Sequence, residues 1–122
     1  MLHSGSAILV VEDSGPIRLG AVDMAEREGF LVFEAANADD AIAILEAHPE
    51  IRLVFTDIEM PGSMDGLKLA RYVSLRWPPI RLILASGTLL REQAMLPDDV
   101  LFFAKPYRQT EIATAMRSLL AA

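Results

Sequence analysis

Five polar side chains in this sequence stand at the ends of short apolar runs. They are Glu12, Asp13, Asp57, Ser86 and Lys105. Three carboxylates held close together repel one another unless a cation lies between them. Carboxylate oxygens are ligands that Mg²⁺ prefers, and Mg²⁺ usually keeps waters and a substrate phosphate in its shell. An ammonium and a hydroxyl directed at the same point would complement a phosphoryl group. These residue types together predict a site for Mg²⁺ and a phosphoryl group.

Each of these residues alone also has an ordinary structural explanation. Asp13 could cap a helix, and Asp57 could begin a turn. Ser86-Gly87 could be a turn as well, and Lys105 could be a surface lysine. The functional interpretation therefore depends on a fold that brings all five to one place.

Five apolar runs alternate with longer segments and indicate the fold class. Each run lacks strict polar alternation, as is typical of strands buried on both faces of a parallel sheet. The runs are Ala7–Val11, Leu31–Ala35, Leu53–Thr56, Arg81–Ala85 and Val100–Ala104. Right-handed crossovers between them predict an α/β fold: a doubly wound, five-stranded parallel sheet, flavodoxin-like (βα)5, with strand order 2-1-3-4-5. Ligands of such sheets bind at the carboxyl ends of the strands, where the five polar residues stand.

The segments between the runs carry helix signals. The first lies between Pro16 and Gly29, which suit a helix start and end, and has an apolar stripe of helical period. Asn37 is placed to cap the second helix, and Trp77-Pro78-Pro79 to end the third. Thr88–Met95 is predicted as a short helix. The stripe of the first helix is Ile17, Ala21, Met24 and Ala25, and that of the last is Ile112, Met116 and Leu119.

Composition limits the class of protein. The 122 residues suffice for about one domain, and we predict a flexible leader over 1–6 and a single domain over 7–122. The net charge of −6, without a basic cluster, argues against a nucleic-acid partner. The lack of cysteine excludes disulfides and Cys-ligated metals. No signal peptide or membrane-spanning segment is evident in the sequence. We therefore expect a cytoplasmic location and no membrane partner.

Five motifs, taken in order, resemble the receiver domains of two-component response regulators. The similarity runs from about residue 7 to the C-terminus. Each motif is weak alone, but the ordered set is highly specific. The motifs are Ile8-Leu9-Val10-Val11-Glu12-Asp13-Ser14, Phe55-Thr56-Asp57-Ile58-Glu59-Met60-Pro61, Met64-Asp65-Gly66, Ala85-Ser86-Gly87 and Phe103-Ala104-Lys105-Pro106-Tyr107.

The resemblance implies a role for each site residue. Asp57 would be the phosphoacceptor, a carboxylate nucleophile that takes a phosphoryl group from a phosphohistidine. Mg²⁺, with Mn²⁺ as an alternative, would be bound by Asp57 and Asp13. Glu12 would bind it mainly through a water, and Glu59 through its backbone carbonyl. Lys105 would pair with the phosphoryl oxygens.

The resemblance also implies a switch. Ser86 would move to hydrogen-bond the phosphoryl group, and Phe102, which lacks the hydroxyl of the common tyrosine, would change rotamer with it. This population shift would remodel a protein-interaction face built by the segment after the fourth strand, the fifth strand and the last helix. The family favours a cis peptide bond at its Lys-Pro step, so we expect the bond between Lys105 and Pro106 to be cis.

Partners follow from the same resemblance. A sensor histidine kinase or a histidine phosphotransferase would donate the phosphoryl group. A downstream protein or an attached domain would respond to the switched face, and a homodimer is a further option. The chain would be a signalling domain of stand-alone or hybrid-kinase type rather than an enzyme, because it would phosphorylate and dephosphorylate only its own Asp57.

Some features depart from the family pattern. Gly62-Ser63 adds one residue to the loop beside the site, and only 19 positions separate Ser86 from Lys105. Glu59 and Thr88 occupy positions that influence the lifetime of the phosphoryl group in the family. These features predict a longer loop beside the site and a shortened helix after the fourth strand, which would alter the usual output surface. The carboxylate of Glu59 could either repel or orient the water that attacks the phosphoryl group.

Three other functions fit parts of the sequence. An aspartate-nucleophile phosphatase would need a second Asp where Glu59 stands. A flavin-binding flavodoxin relative would need hydroxyls and backbone amides after the first strand, where Glu12-Asp13 would repel a phosphate. A receiver fold that acts without phosphorylation would not need the complete set of acids and lysine. The phosphorelay module is therefore the function that we expect.

Overall fold

The computed structural model describes residues 6–88, 96–97 and 99–121. Apart from Ser6 and Thr88, the predicted leader and the predicted helix after the fourth strand lie outside the described residues. The elements are β1 Ala7–Val11, α1 Gly15–Arg27, β2 Leu31–Ala35, α2 Ala38–Ala47, β3 Ile51–Asp57, α3 Gly66–Arg76, β4 Arg81–Ser86, β5 Leu101–Ala104 and α4 Gln109–Leu120.

The five strands form one parallel sheet in the order β2-β1-β3-β4-β5, which confirms the predicted fold and strand order. The register pairs Asp57 with Ala85 and Ser86 with Ala104. All carboxyl ends therefore lie along one edge of the sheet, as expected for parallel strands joined by crossovers.

The sheet is covered on both faces. In β1, Ile8 and Val10 pack on the side of α1 and α4, whereas Leu9 and Val11 pack on the side of α2 and α3. All four side chains are fully buried. This explains why the run is continuously apolar, since alternate residues belong to two separate cores.

The bounds of β1 and β2 are as predicted, and those of β3, β4 and β5 differ from the prediction by one or two residues. β3 begins at Ile51 and includes Asp57, because the exposed Arg52 interrupts the apolar run without ending the strand. β4 extends to Ser86, and β5 begins one residue later than predicted, after Val100. Asp57 and Ser86 are thus the last residues of their strands, and the backbone of the sheet fixes both.

α1 excludes one alternative explanation and corrects one expectation. Its N-cap is Ser14, whose hydroxyl accepts from the N–H of Ile17 at 3.4 Å, so Asp13 is free of the capping role. Ile17 was expected in the apolar stripe but is 49% exposed. It lies in the first turn, beyond the carboxyl end of β1, where the sheet offers no core to pack against. Gly29 follows the helix with φ +93°, a left-handed conformation that favours glycine.

α2 begins and α3 ends at the predicted signals. Asn37 caps α2, because its Oδ1 accepts from the N–H of Asp40 at 2.8 Å. α3 ends before Trp77. In α4, Ile112 and Met116 are completely buried against the sheet. No helix within the described ranges has the length and apolar character needed to cross a membrane.

Replacing Asn37 by Ala removes the acceptor for the N–H of Asp40 and is expected to destabilise the protein by about 1 kcal/mol. Chemical denaturation of the two proteins measures this difference. Asn37→Ser keeps an acceptor at the N-cap without placing another carboxylate beside Asp40, and it should stay within about 0.5 kcal/mol of the original. Equal losses in both variants would contradict the capping role.

Candidate functional site

The carboxyl edge of the sheet brings together side chains from four strands or the residues just after them. Glu12, Asp57 and Ser86 are buried there, with 6%, 7% and 1% of their surface exposed. Backbone pairing continues past the strand ends, since the N–H of Lys105 donates to the carbonyl of Ser86 at 2.8 Å. The site residues are thus held by the sheet itself.

Three carboxylates meet at this edge. Glu12, Asp13 and Asp57 each offer an oxygen, and these atoms lie within 4.8 Å of one another. Asp13 is exposed, whereas the other two are buried. A set of hard oxygen donors that is open to solvent on one side fits Mg²⁺ or Mn²⁺ and does not suit a soft metal.

The ammonium of Lys105 balances this negative charge. Its Nζ lies 2.8 Å from Oδ2 of Asp57 and 3.9 Å from Oε1 of Glu12. Burial alone would lower the pKa of Lys105, but the hydrogen bond and the charge of Asp57 outweigh it and raise the pKa above its usual value. The lysine therefore stays positively charged beside the central carboxylate.

Glu12 lies in a less favourable environment for a charge. Burial, with smaller effects from Asp13 and Asp57, raises its pKa to about 7, against the opposing effects of the N–H of Ser14 and of Lys105. The N–H of Ser14 donates to Oε2 of Glu12 at 3.0 Å. A cation at this site would favour the charged form of the carboxyl group.

Arg18 of α1 holds the loop that carries the first two acids. Its Nη1 donates to the carbonyl of Glu12 at 2.8 Å, and its Nε pairs with Glu34 of β2 at the same distance. Arg18 was not among the residues predicted to build the site. The signal that could have identified Arg18 was its position one turn into α1, facing the end of β1.

The side chain of Glu59 makes contacts that were not predicted from the sequence. This side chain turns to the end of β4, where Oε2 accepts from Ser86 Oγ at 2.5 Å and from Thr88 Oγ1 at 3.1 Å, and Oε1 accepts from the N–H of Gly87 at 2.9 Å. Although burial raises the pKa of Glu59, these hydrogen bonds outweigh it and lower the pKa below its usual value. The carboxylate is therefore charged at neutral pH.

Two aromatic residues flank the lysine. Phe102 of β5 is half-buried against the core on the side of α2 and α3. Tyr107 packs edge-on against Phe55, with 5.8 Å between the ring centroids, and burial raises its pKa. The bond between Lys105 and Pro106 is cis, as predicted. The part of Phe102 in a switch stays a prediction.

The loop after β3 returns to the site through Gly66. The N–H of Gly66 donates to the carbonyl of Ile58 at 2.9 Å. A β-carbon at Gly66 would lie 1.9 Å from the carbonyl oxygen of Asp57 and 2.8 Å from the Cα of Ile58. Only glycine permits this approach, so α3 begins directly against the backbone of Asp57.

The strand order and the acidic edge together define a receiver domain of two-component signalling. The family model of the response regulator receiver domain matches residues 8–117, and the chain belongs to this family. The expected class of function, a receiver module of two-component phosphorelays, is thereby confirmed, as is its assignment to signalling proteins.

Relatives of different architecture share this domain. The chain is 36% identical over 124 residues to the sensor kinase CckA of Brucella abortus, covering 96% of this chain and 13% of the kinase. It is 31% identical over 118 residues to sporulation initiation phosphotransferase F of Bacillus subtilis, covering 93% of this chain and 92% of that protein. The chain therefore spans a small part of one relative and nearly all of another.

A solved structure extends the comparison to a bound state. The response regulator protein TrrA of Thermotoga maritima, in complex with Mg²⁺-BeF, has a TM-score of 0.81 and 26% sequence identity. The comparison covers 94% of this chain and 99% of that chain.

Gly66→Ala is expected to displace the backbone of Asp57 and to destabilise the protein by about 1–3 kcal/mol or more, because backbone atoms must move to admit the methyl group. Denaturation and Mg²⁺ titration measure the two effects. Gly15→Ala is the matched control, since a β-carbon at Gly15 meets nothing within 4 Å. If both variants were equally stable and bound Mg²⁺ equally, the close approach at Gly66 would have no structural role.

Proposed function

We propose that Asp57 accepts a phosphoryl group from a phosphohistidine of a sensor histidine kinase or a histidine phosphotransferase, in a Mg²⁺-dependent reaction. The observation that carries this proposal is the Asp57 carboxylate, buried and 2.8 Å from the ammonium of Lys105, with oxygens of Glu12 and Asp13 close by. A carboxylate nucleophile beside cationic groups is the arrangement that phosphoryl transfer to an acid requires.

In the transfer, an oxygen of Asp57 forms a bond to phosphorus while the bond from phosphorus to the imidazole nitrogen breaks. The electron pair of the broken bond stays on the imidazole, which leaves as a neutral ring when its other nitrogen carries a proton. The product on this chain is an acyl phosphate. Attack of water on its phosphorus later restores the carboxylate and releases phosphate, so the domain would phosphorylate and dephosphorylate only itself.

The metal would be held by Asp13, Asp57, Glu12 through a water, and the backbone carbonyl of Glu59. When bound, Mg²⁺ supplies positive charge that offsets the acids and the phosphoryl oxygens. Lys105 adds a fixed cation, because its Nζ already lies on one oxygen of Asp57 and can follow a phosphoryl group attached there. Ser86 contributes a hydroxyl for a phosphoryl oxygen.

The output follows from a switch of Ser86 and Phe102. Occupation of Ser86 by the phosphoryl group would change the packing beside it and, through Phe102, the surface of β5 and α4. A downstream protein, an attached domain or a second copy of the chain would bind that surface. A domain over 7–122 and a cytoplasmic location suit this role, and the net charge of −6 does not favour nucleic acid as a partner.

The test is intact mass after incubation with acetyl phosphate, with and without Mg²⁺. We expect a gain of one phosphoryl group that requires Mg²⁺ and is lost in Asp57→Asn. Asp23→Asn is the matched control, because Asp23 lies in an exposed ion pair with Arg27 on α1. It should be phosphorylated like the original protein.

A gain that persists in Asp57→Asn would overturn the assignment of the phosphoacceptor. Failure to gain mass from acetyl phosphate and also from a phosphorylated histidine kinase would favour a receiver fold that acts without phosphorylation.

A further inference from the structure

The end of β4 presents three hydrogen-bond donors to one carboxylate. Ser86 Oγ, Thr88 Oγ1 and the N–H of Gly87 all donate to the side chain of Glu59, at distances of 2.5–3.1 Å. Both carboxylate oxygens are used. Hydrogen bonds to a charged acceptor are stronger than those between neutral groups. Glu59 is therefore firmly held in this position, and it holds the three donors in turn.

The phosphoacceptor lies next to this cluster. The N–H of Glu59 is 3.3 Å from Oδ1 of Asp57, and Asp57 pairs in the sheet with Ala85, the residue before Ser86. A phosphoryl group on Asp57 would thus extend toward the donors that Glu59 now occupies. Two anions, one on Asp57 and one on Glu59, would face the same three donors.

A hydroxyl has one proton, and a backbone N–H has one as well. Ser86 can donate in a full hydrogen bond to Glu59 or to a phosphoryl oxygen, but not to both. The two contacts are therefore mutually exclusive. The hydrogen bonds to Glu59 must break before the same donors can form hydrogen bonds to the phosphoryl group.

We propose that the Glu59 carboxylate is a built-in competitor of the phosphoryl group, which keeps Ser86, Gly87 and Thr88 in the unphosphorylated arrangement. The inference rests on the proposed phosphorylation of Asp57 and assigns Glu59 as a positioning residue that acts through Ser86. The competition by Glu59 lowers the affinity of the site for a phosphoryl group and raises the population of the unphosphorylated arrangement. A ligand shifts an equilibrium only by its differential affinity for the two states.

The test is the affinity for beryllofluoride, a non-covalent analogue of the phosphoryl group, at saturating Mg²⁺, followed by amide NMR signals of the site. Glu59→Ala removes both the contact and the charge and should tighten binding about tenfold, the effect of losing one charge-assisted hydrogen bond. Glu59→Asp keeps the charge but is one methylene too short to reach Ser86, and it should tighten binding as well. Glu59→Gln keeps the reach without the charge and should lie between the original protein and Glu59→Ala.

A second measurement separates competition from simple charge repulsion. In a Ser86→Ala background, the effect of Glu59→Ala should shrink several-fold, because the main shared donor is gone. Without beryllofluoride, Mg²⁺ affinity should change much less than beryllofluoride affinity does, since the metal would use only the backbone carbonyl of Glu59. Thermal stability should fall in Glu59→Ala, because Ser86, Gly87 and Thr88 lose their common acceptor.

Three results would overturn the proposal. They are unchanged affinity in Glu59→Ala, tightening in Glu59→Ala but not in Glu59→Asp, and an effect of Glu59→Ala that is undiminished in the Ser86→Ala background. The last two would indicate repulsion between charges. If neither the original protein nor any variant bound beryllofluoride, the proposed phosphorylation of Asp57 would fail and the competition would fail with it, a pattern distinct from equal binding by all variants.

Discussion

The contact between the ammonium of Lys105 and the buried carboxylate of Asp57 is the interaction on which the site depends. A buried carboxylate without a partner would be costly to keep charged. Lys105 follows β5, and its side chain must pass the end of β4 to reach Asp57 on β3. The strand order and the common edge of the sheet make this reach feasible. The fold therefore serves to hold one charge pair in place, with the further acids arranged around it.

Most of the fold could be predicted from the sequence because the signals are local. Apolar runs without alternation indicated the strands, and Asn37 and Gly29 marked helix boundaries. The five polar residues at strand ends indicated the site, since parallel strands share one carboxyl edge. Ile17 was misplaced because helical periodicity shows which residues share a face, but not where the sheet beneath them ends.

The side chain of Glu59 could not be placed in the same way. Its partner Ser86 is 27 positions away, and only the adjacency of β3 and β4 together with a side-chain rotamer brings the two into contact. The family resemblance implied that the backbone carbonyl of Glu59 would bind the metal and that its side chain would influence the lifetime of the phosphoryl group. In the structure, the backbone and the side chain of Glu59 make separate contacts. The backbone N–H of Glu59 lies beside the carboxylate of Asp57, whereas the side chain of Glu59 accepts from donors at the end of β4.

The closure of the loop after β3 by Gly66 has a consequence for variation in this domain. The loop leaves the site at Ile58 and returns at Gly66, where a backbone hydrogen bond joins its two ends. Between these fixed ends, Met60 is buried and Asp65 caps α3, whereas Pro61, Gly62 and Ser63 are exposed. We expect residues to be added or removed at this exposed tip with little displacement of the strand end that carries Asp57. The exposed tip of the loop can thus vary in length between related chains while the carboxylate of Asp57 stays at the same place.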